Sequence, residues 1–313
     1  MVVGRFCVTL VLSGVLAASA GAATFQPRIV INDDDGAAAA VALGAPFDSV
    51  VELRFFDDAS FTGGFGLCSG ALISQTTILT AQHCLEDVIN PDQVQVRFTE
   101  GNGTLQFERT VSAIQRMPFY DYLTDGTDLA TLKLSDPVEN RTPFLLTPEN
   151  VLGETVRMVG YGLNGLGGTG HQGTRTGARW AADNVIDGVG LGEPYSGPNL
   201  LFASTFFEPG DPDFIALEGT TAPGDSGGPL LVQRGGEWTI AGVLSGGTSP
   251  TSVYGDRSVW TSVFSAEAQE LVRIGGGQFY QPAPDPIPLP ASAWLLLGGL
   301  AMVAGLRARR RVG

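Results

Sequence analysis

Ser226 stands in Gly224-Asp225-Ser226-Gly227-Gly228-Pro229, between glycines that let the main chain turn tightly and bring N–H groups against a substrate oxygen without Cβ interference. A serine hydroxyl is too weakly acidic to attack an acyl carbon unaided, so a base and a group that orients it must come from elsewhere in the chain. Two segments offer them. Thr80-Ala81-Gln82-His83-Cys84 closes an apolar strand, and in Asp128-Leu129-Ala130-Thr131-Leu132-Lys133-Leu134 an Asp opens an alternating one. Taken singly, a His beside a Cys reads as structural and an Asp at a strand start as a cap. Taken in the order His, Asp, Ser, they supply the hydroxyl, imidazole and carboxylate of nucleophilic acyl transfer.

The other chemistry-bearing residues are few. The chain has two histidines, and His171 has no partner at ligand spacing, so it reads as an exposed polar residue. It lies in Gly162–Gly173, which is rich enough in glycine to suggest a phosphate loop but precedes no helical pattern, so a mobile surface loop is expected. No metal site and no cofactor is expected. Of three cysteines, Cys7 belongs to an apolar leader, leaving Cys68 and Cys84 as an even pair in an exported chain, where a disulfide is the natural state.

The elements that must position these residues read as β-structure. Strand-like runs at Val50–Phe56, Leu67–Ile73, Ile78–Ala81, Val94–Phe98, Phe107–Ile114, Leu129–Leu134, Thr155–Val159, Leu201–Phe207, Pro229–Val232, Trp238–Leu244 and Ser258–Ser262 are separated by Gly, Pro, Asn and Asp. Several alternate apolar with polar, the pattern of a sheet with one buried face. Val263–Ile274, with Phe264, Ala268, Leu271 and Val272 at helical spacing, is the one helix expected, and residues 24–48 read as a polar, Ala-rich lead-in.

With TAQHC, DLATLKL and GDSGGP in this order, the chain resembles the trypsin/chymotrypsin-like serine proteases over roughly residues 29–274. The resemblance implies an all-β fold of two six-stranded antiparallel β-barrels with a C-terminal helix. It implies a serine endopeptidase acting on protein or peptide substrates, with His83, Asp128 and Ser226 catalytic and the N–H groups of Gly224 and Ser226 forming the oxyanion hole. Ser245 is similar to the serine that supports the triad aspartate, Gly246 and Gly247 to the edge that pairs with substrate, and Cys68–Cys84 to the disulfide that pins the histidine loop. Asp225 resembles the aspartate that pairs with a terminus released by cleavage, and Arg28-Ile29-Val30 a cleavage site, which makes Ile29 the partner. IVINDDD also resembles the start of glutamyl-endopeptidase-like relatives. Thr220 and Thr221 fall at the pocket floor with Ser258 on its far wall, implying cleavage after small or medium uncharged residues, and Ala222 stands where the family's pocket-flanking cysteine would be. Two further readings remain: a catalytically silent binding or adhesion module on the same fold, and an esterase using the same three residues.

The ends read as sorting devices. Arg5, the apolar run Phe6–Leu16 and the small residues up to Ala23 have the layout of a signal peptide, assigned to residues 1–22 with 23–28 as a short pro-segment and signal peptidase as a partner. Gly275–Pro290 reads as a Gly- and Pro-rich spacer unable to build a core. Residues 287–313 resemble a PEP-CTERM sorting signal read by an exosortase-type processing enzyme, with an apolar helix over 291–306 ahead of Arg307-Ala308-Arg309-Arg310-Arg311. This implies transit through the periplasm to the outer surface or beyond, with residues 291–306 as a transmembrane helix that anchors the chain transiently in the inner membrane. Of 18 basic residues, Arg5 and those four arginines sit in the sorting ends, so the excised domain is strongly acidic, with all 32 Asp and Glu inside it. Such a surface repels nucleic acid, which is excluded as a partner.

Overall fold

The structure is a computed structural model that describes residues 29–118, 126–172, 177–191 and 200–283. The leader, the pro-segment, the Pro-Leu-Pro segment and the apolar run 291–306 lie outside these residues. Among the described residues no helix is long and apolar enough to cross a membrane.

The chain enters as β1 (Val30–Ile31) and helix α1 (Gly36–Gly44). The first barrel follows: β2 (Val50–Phe55), β3 (Gly66–Ser74), β4 (Thr77–Thr80), β5 (Val94–Thr99), β6 (Leu105–Arg116) and β7 (Ala130–Leu134), closed in the order β2-β3-β4-β7-β6-β5. Inward residues such as Val51, Leu53, Leu72, Val96, Phe98 and Leu132 fill it.

The second half contains β8 (Leu145–Leu146), β9 (Thr155–Gly160), β10 (Asn164–Leu166), β11 (Gly170–Gln172), β12 (Trp180–Val185), β13 (Gly188–Leu191), β14 (Leu200–Thr205), β15 (Gly219–Thr220), β16 (Pro229–Arg234), β17 (Glu237–Gly247), β18 (Arg257–Ser262) and α2 (Ala266–Ile274). Strands β12-β9-β16-β17-β18-β14-β13 form a curled sheet, with β8 added beside β17. The two-barrel plan therefore holds, although this half is a curled eight-stranded sheet and not a second closed six-stranded cylinder. A smaller sheet, β11-β10-β1-β15, lies beside it.

Three features differ from expectation. The lead-in folds as α1, whose alanines favour a helix intrinsically although they carry no amphipathic period. Its C-terminal carbonyls Gly44 O and Ala45 O accept from the fully buried Arg179 at 2.9 Å each, and the same guanidinium reaches Thr99 O and Tyr161 Oη, so one side chain joins α1 to both barrels. The glycine-rich stretch is the β10–β11 hairpin, and His171 is half-buried in it. The spacer after α2 is partly structured: Leu146 donates to Gln278 O and accepts from Tyr280 N, which lays Phe279 against the core between the barrels.

Candidate active site

Pairing of β4 with β7 brings the first two residues together. Thr80 lies opposite Ala130, so His83, three residues past one, and Asp128, two residues before the other, emerge at the same end of the barrel. Asp128 is 1% exposed, and both its oxygens face His83: Oδ1 accepts from the main-chain N–H at 2.8 Å and Oδ2 meets Nδ1 at 2.7 Å. A carboxylate on Nδ1 fixes the ring orientation and leaves Nε2 as the working nitrogen. Nε2 lies 3.9 Å from Cys84 Sγ. Cys84 is joined to Cys68, as expected, which ties the histidine turn to β3. Cys68, His83 and Cys84 form a group of metal-binding spacing, but both sulfurs are occupied by that disulfide.

The Ser226 loop sits between β15 and β16. Gly224 and Gly227 have φ of +105° and +78°, where an L side chain is strained, which is why glycines flank the serine. The loop is bound to the first barrel by Ser69, a residue that no sequence signal pointed to. Ser69 N donates to Ser226 O at 2.7 Å and Ser69 Oγ to Gly224 O at 2.9 Å, while Tyr161 N donates to Ser69 Oγ. A Cβ on Gly227 would lie 2.9 Å from Ala81 N, so the peptide after Ser226 packs on the turn that carries His83. Ser226 Oγ is buried and makes no hydrogen bond, while its loop packs on the turn that carries His83.

Asp225 is 2% exposed; its oxygens accept from Gly162 N at 3.0 Å and Ala222 N at 3.2 Å, and Gly160 leaves room for the carboxylate. Ile29, its expected partner, is 1% exposed and leads directly into β1. Ser245 corrects an expectation: its hydroxyl pairs with Thr261 Oγ1 at 2.8 Å on the neighbouring strand, while both oxygens of Asp128 face His83. Ser245 therefore braces β17 against β18. Beyond Val243 the pairing of β16 with β17 stops, so among the described residues the Ser245–Gly247 edge has no strand neighbour on that side.

The three expected pocket residues come together. Ser258 Oγ meets Thr220 Oγ1 at 2.9 Å and Thr221 Oγ1 at 2.8 Å and accepts from Thr221 N at 3.1 Å. All three are buried, and the cluster carries no formal charge. Two acidic residues missed in the sequence stand nearby. Glu218 accepts from Phe207 N at 2.7 Å and Ile215 N at 2.8 Å, anchoring the loop ahead of Thr220, and burial pushes its carboxyl up. Asp256 accepts from Thr248 Oγ1 and Arg257 N behind Gly247, and burial raises it too.

The arrangement is an imidazole oriented by a buried carboxylate beside a glycine-flanked serine, and it suits acyl transfer. A family profile described as Trypsin matches residues 54–268, which takes in all three segments. The chain belongs to the trypsin family. It is 30% identical over 202 residues to serine proteinase stubble of Drosophila melanogaster, covering 58% of this chain but only 24% of that protein. It is 27% identical over 198 residues to Trypsin-3 of Salmo salar, covering 60% of this chain and 75% of that one. The alpha- and beta-fibrinogenase OhS1 of Ophiophagus hannah is 26% identical over 240 residues, 70% of this chain and 84% of that one. The family is that of the trypsin-like serine proteases.

Proposed function

We propose that this protein is an exported serine endopeptidase that hydrolyses peptide bonds through an acyl-enzyme formed on Ser226. The observation that carries the reading is the His83–Asp128 couple, bonded at 2.7 and 2.8 Å, beside the Ser226 loop. Ser226 Oγ attacks the scissile carbonyl while His83 Nε2 takes its proton, and the same proton goes to the leaving amine. Asp128 keeps the proton-bearing nitrogen on its own side and stabilises the imidazolium. The main-chain N–H groups of Gly224 and Ser226 receive the oxyanion, each such donor lowering the barrier by about 3 kcal/mol. The hydrogen bond from Ser226 Oγ to Nε2 forms in the substrate complex. Catalytic hydrogen bonds often tighten only in the complex.

Release of an Ile29 ammonium by cleavage after Arg28 would give the buried Asp225 a charged partner, and N-terminal sequencing of the active form tests it. The uncharged Thr220–Thr221–Ser258 cluster supports cleavage after small or medium uncharged residues, and a peptide library in which Arg, Lys or Glu dominates the first position overturns that selectivity. Export by residues 1–22 and exosortase-type processing of residues 287–313 complete the reading. Mass spectrometry that finds Arg307–Arg311 on the mature protein refutes the processing. Fluorophosphonate labelling of protein ending before Ile287 tests the function itself. Labelling of the wild type and none of Ser226→Ala is expected, and cleavage of casein as well as of aryl esters separates endopeptidase from esterase.

A further inference from the structure

The four residues after Ile29 have no part in the mechanism above, yet they are bound into the segments around the pocket. β1 lies between β10 and β15, pairing Val30 with Thr220 of the pocket floor on one side and with Gly165 on the other. Beyond it, Asp33 N donates to Tyr254 Oη at 2.9 Å, and the Asp33 carboxylate accepts from Gly168 N at 3.2 Å. Tyr254 N donates in turn to Gly167 O, and His171 N to Thr251 O. Three segments distant in sequence thus close one ring of hydrogen bonds: the chain after Ile29, the β10–β11 hairpin and the loop from Thr248 to Asp256.

The ring of Tyr254 does a second job. It packs at 4.7 Å between centroids on Phe206, in a small apolar cluster with Val30 and Ala222 that is separate from the barrel cores. Ala222 lies two residues before Gly224, and the Tyr254 loop joins Gly247 to Ser258. The cluster therefore joins the segment that follows Thr221 to the loop that leads into Ser258. With Cys68 and Cys84 joined to each other, no cysteine remains in the described residues to cross-link these walls.

We propose that Tyr254, clasped by Asp33, is a positioning residue that sets the spacing of the two walls of the substrate pocket. The inference rests on the serine-endopeptidase reading for its consequence in catalysis. Tyr254 touches none of the reacting groups, so its loss acts on substrate binding and leaves the His83–Asp128 couple intact.

The test compares the processed wild type with Tyr254→Phe, Asp33→Ala and Asp33→Asn, by steady-state kinetics on a peptide amide and by amide hydrogen exchange. Tyr254→Phe keeps the stacked ring and loses one hydrogen bond. KM is expected to rise about three- to ten-fold with kcat within about two-fold, alongside faster exchange across Thr248–Asp256 and an unchanged melting temperature. Asp33→Ala should act in the same direction, and Asp33→Asn, whose amide oxygen still accepts from Gly168, should restore wild-type behaviour. Unchanged exchange in Tyr254→Phe overturns the clasp, and faster exchange with an unchanged KM overturns its role in the pocket. A wild type without amidase activity sinks the protease reading alone, since the exchange comparison still decides whether the clasp exists.

Discussion

Replacing Asp128 by Asn isolates what the buried carboxylate contributes. Oδ1 of the amide still accepts from the His83 main-chain N–H, now at 2.8 Å, so the turn that carries the histidine stays in place. The amide nitrogen, however, faces Nδ1 where Oδ2 stood at 2.7 Å, and a donor there forces Nδ1 to accept. The ring proton then moves to Nε2, and the base is lost. Turnover should fall about 10⁴-fold, equivalent to about 5 kcal/mol of barrier. Stability should change by less than about 1 kcal/mol, since the amide keeps a hydrogen bond to both the main chain and the ring of His83. The assay is kcat on a peptide amide, with thermal unfolding run in parallel. If Asp128→Asn keeps more than about a tenth of wild-type kcat, tautomer control by Asp128 is refuted; if it unfolds, the claim that the retained main-chain bond and the disulfide hold the turn is refuted.

Three further outcomes follow from the fold. Cys68→Ser with Cys84→Ser opens a link across 16 positions, worth about 3 kcal/mol of stability, and should lower Tm by about 6–12 °C in differential scanning calorimetry. Arg179→Met removes the guanidinium that donates to the carbonyls of Gly44, Ala45 and Thr99 and to the Tyr161 hydroxyl, and should lower stability by about 3–5 kcal/mol in urea unfolding; a loss below about 1 kcal/mol refutes the stapling role. Burial raises the carboxyl of Glu218 above its unfolded value, so its contribution is full below the unfolded value and is lost as pH rises through the folded one. Tm of the wild type should fall across that window, and Glu218→Gln should flatten this part of the profile.

The candidate catalytic set was legible because three short runs occur together in the order His, Asp, Ser, although the histidine and aspartate runs read singly as structural; only the glycines around Ser226 carry a signal of their own. The β-class and the cysteine pair were legible for similar reasons, since period and composition are local properties. Helix α1 was missed because an alanine run is apolar on every side and shows no period. Ser69 was missed because a serine inside a strand carries no signal, and its partners Gly224 and Ser226 lie more than 150 positions away. Ser245 was expected at Asp128 from its place in a motif, and the sequence could not show that its hydroxyl shares a hydrogen bond with the Thr261 hydroxyl on the next strand.

Residue types and their order along the chain determined which groups could carry out acyl transfer, since nucleophilicity, basicity and backbone freedom belong to individual residues. Distances and burial were decided only by the tertiary structure. The register of β4 on β7 sets Asp128 against His83, Ser69 ties the nucleophile loop to the opposite barrel, and Tyr254 meets Asp33 across 221 positions. These contacts depend on how strands close into barrels, and that closure is a property of the whole chain that no short segment encodes.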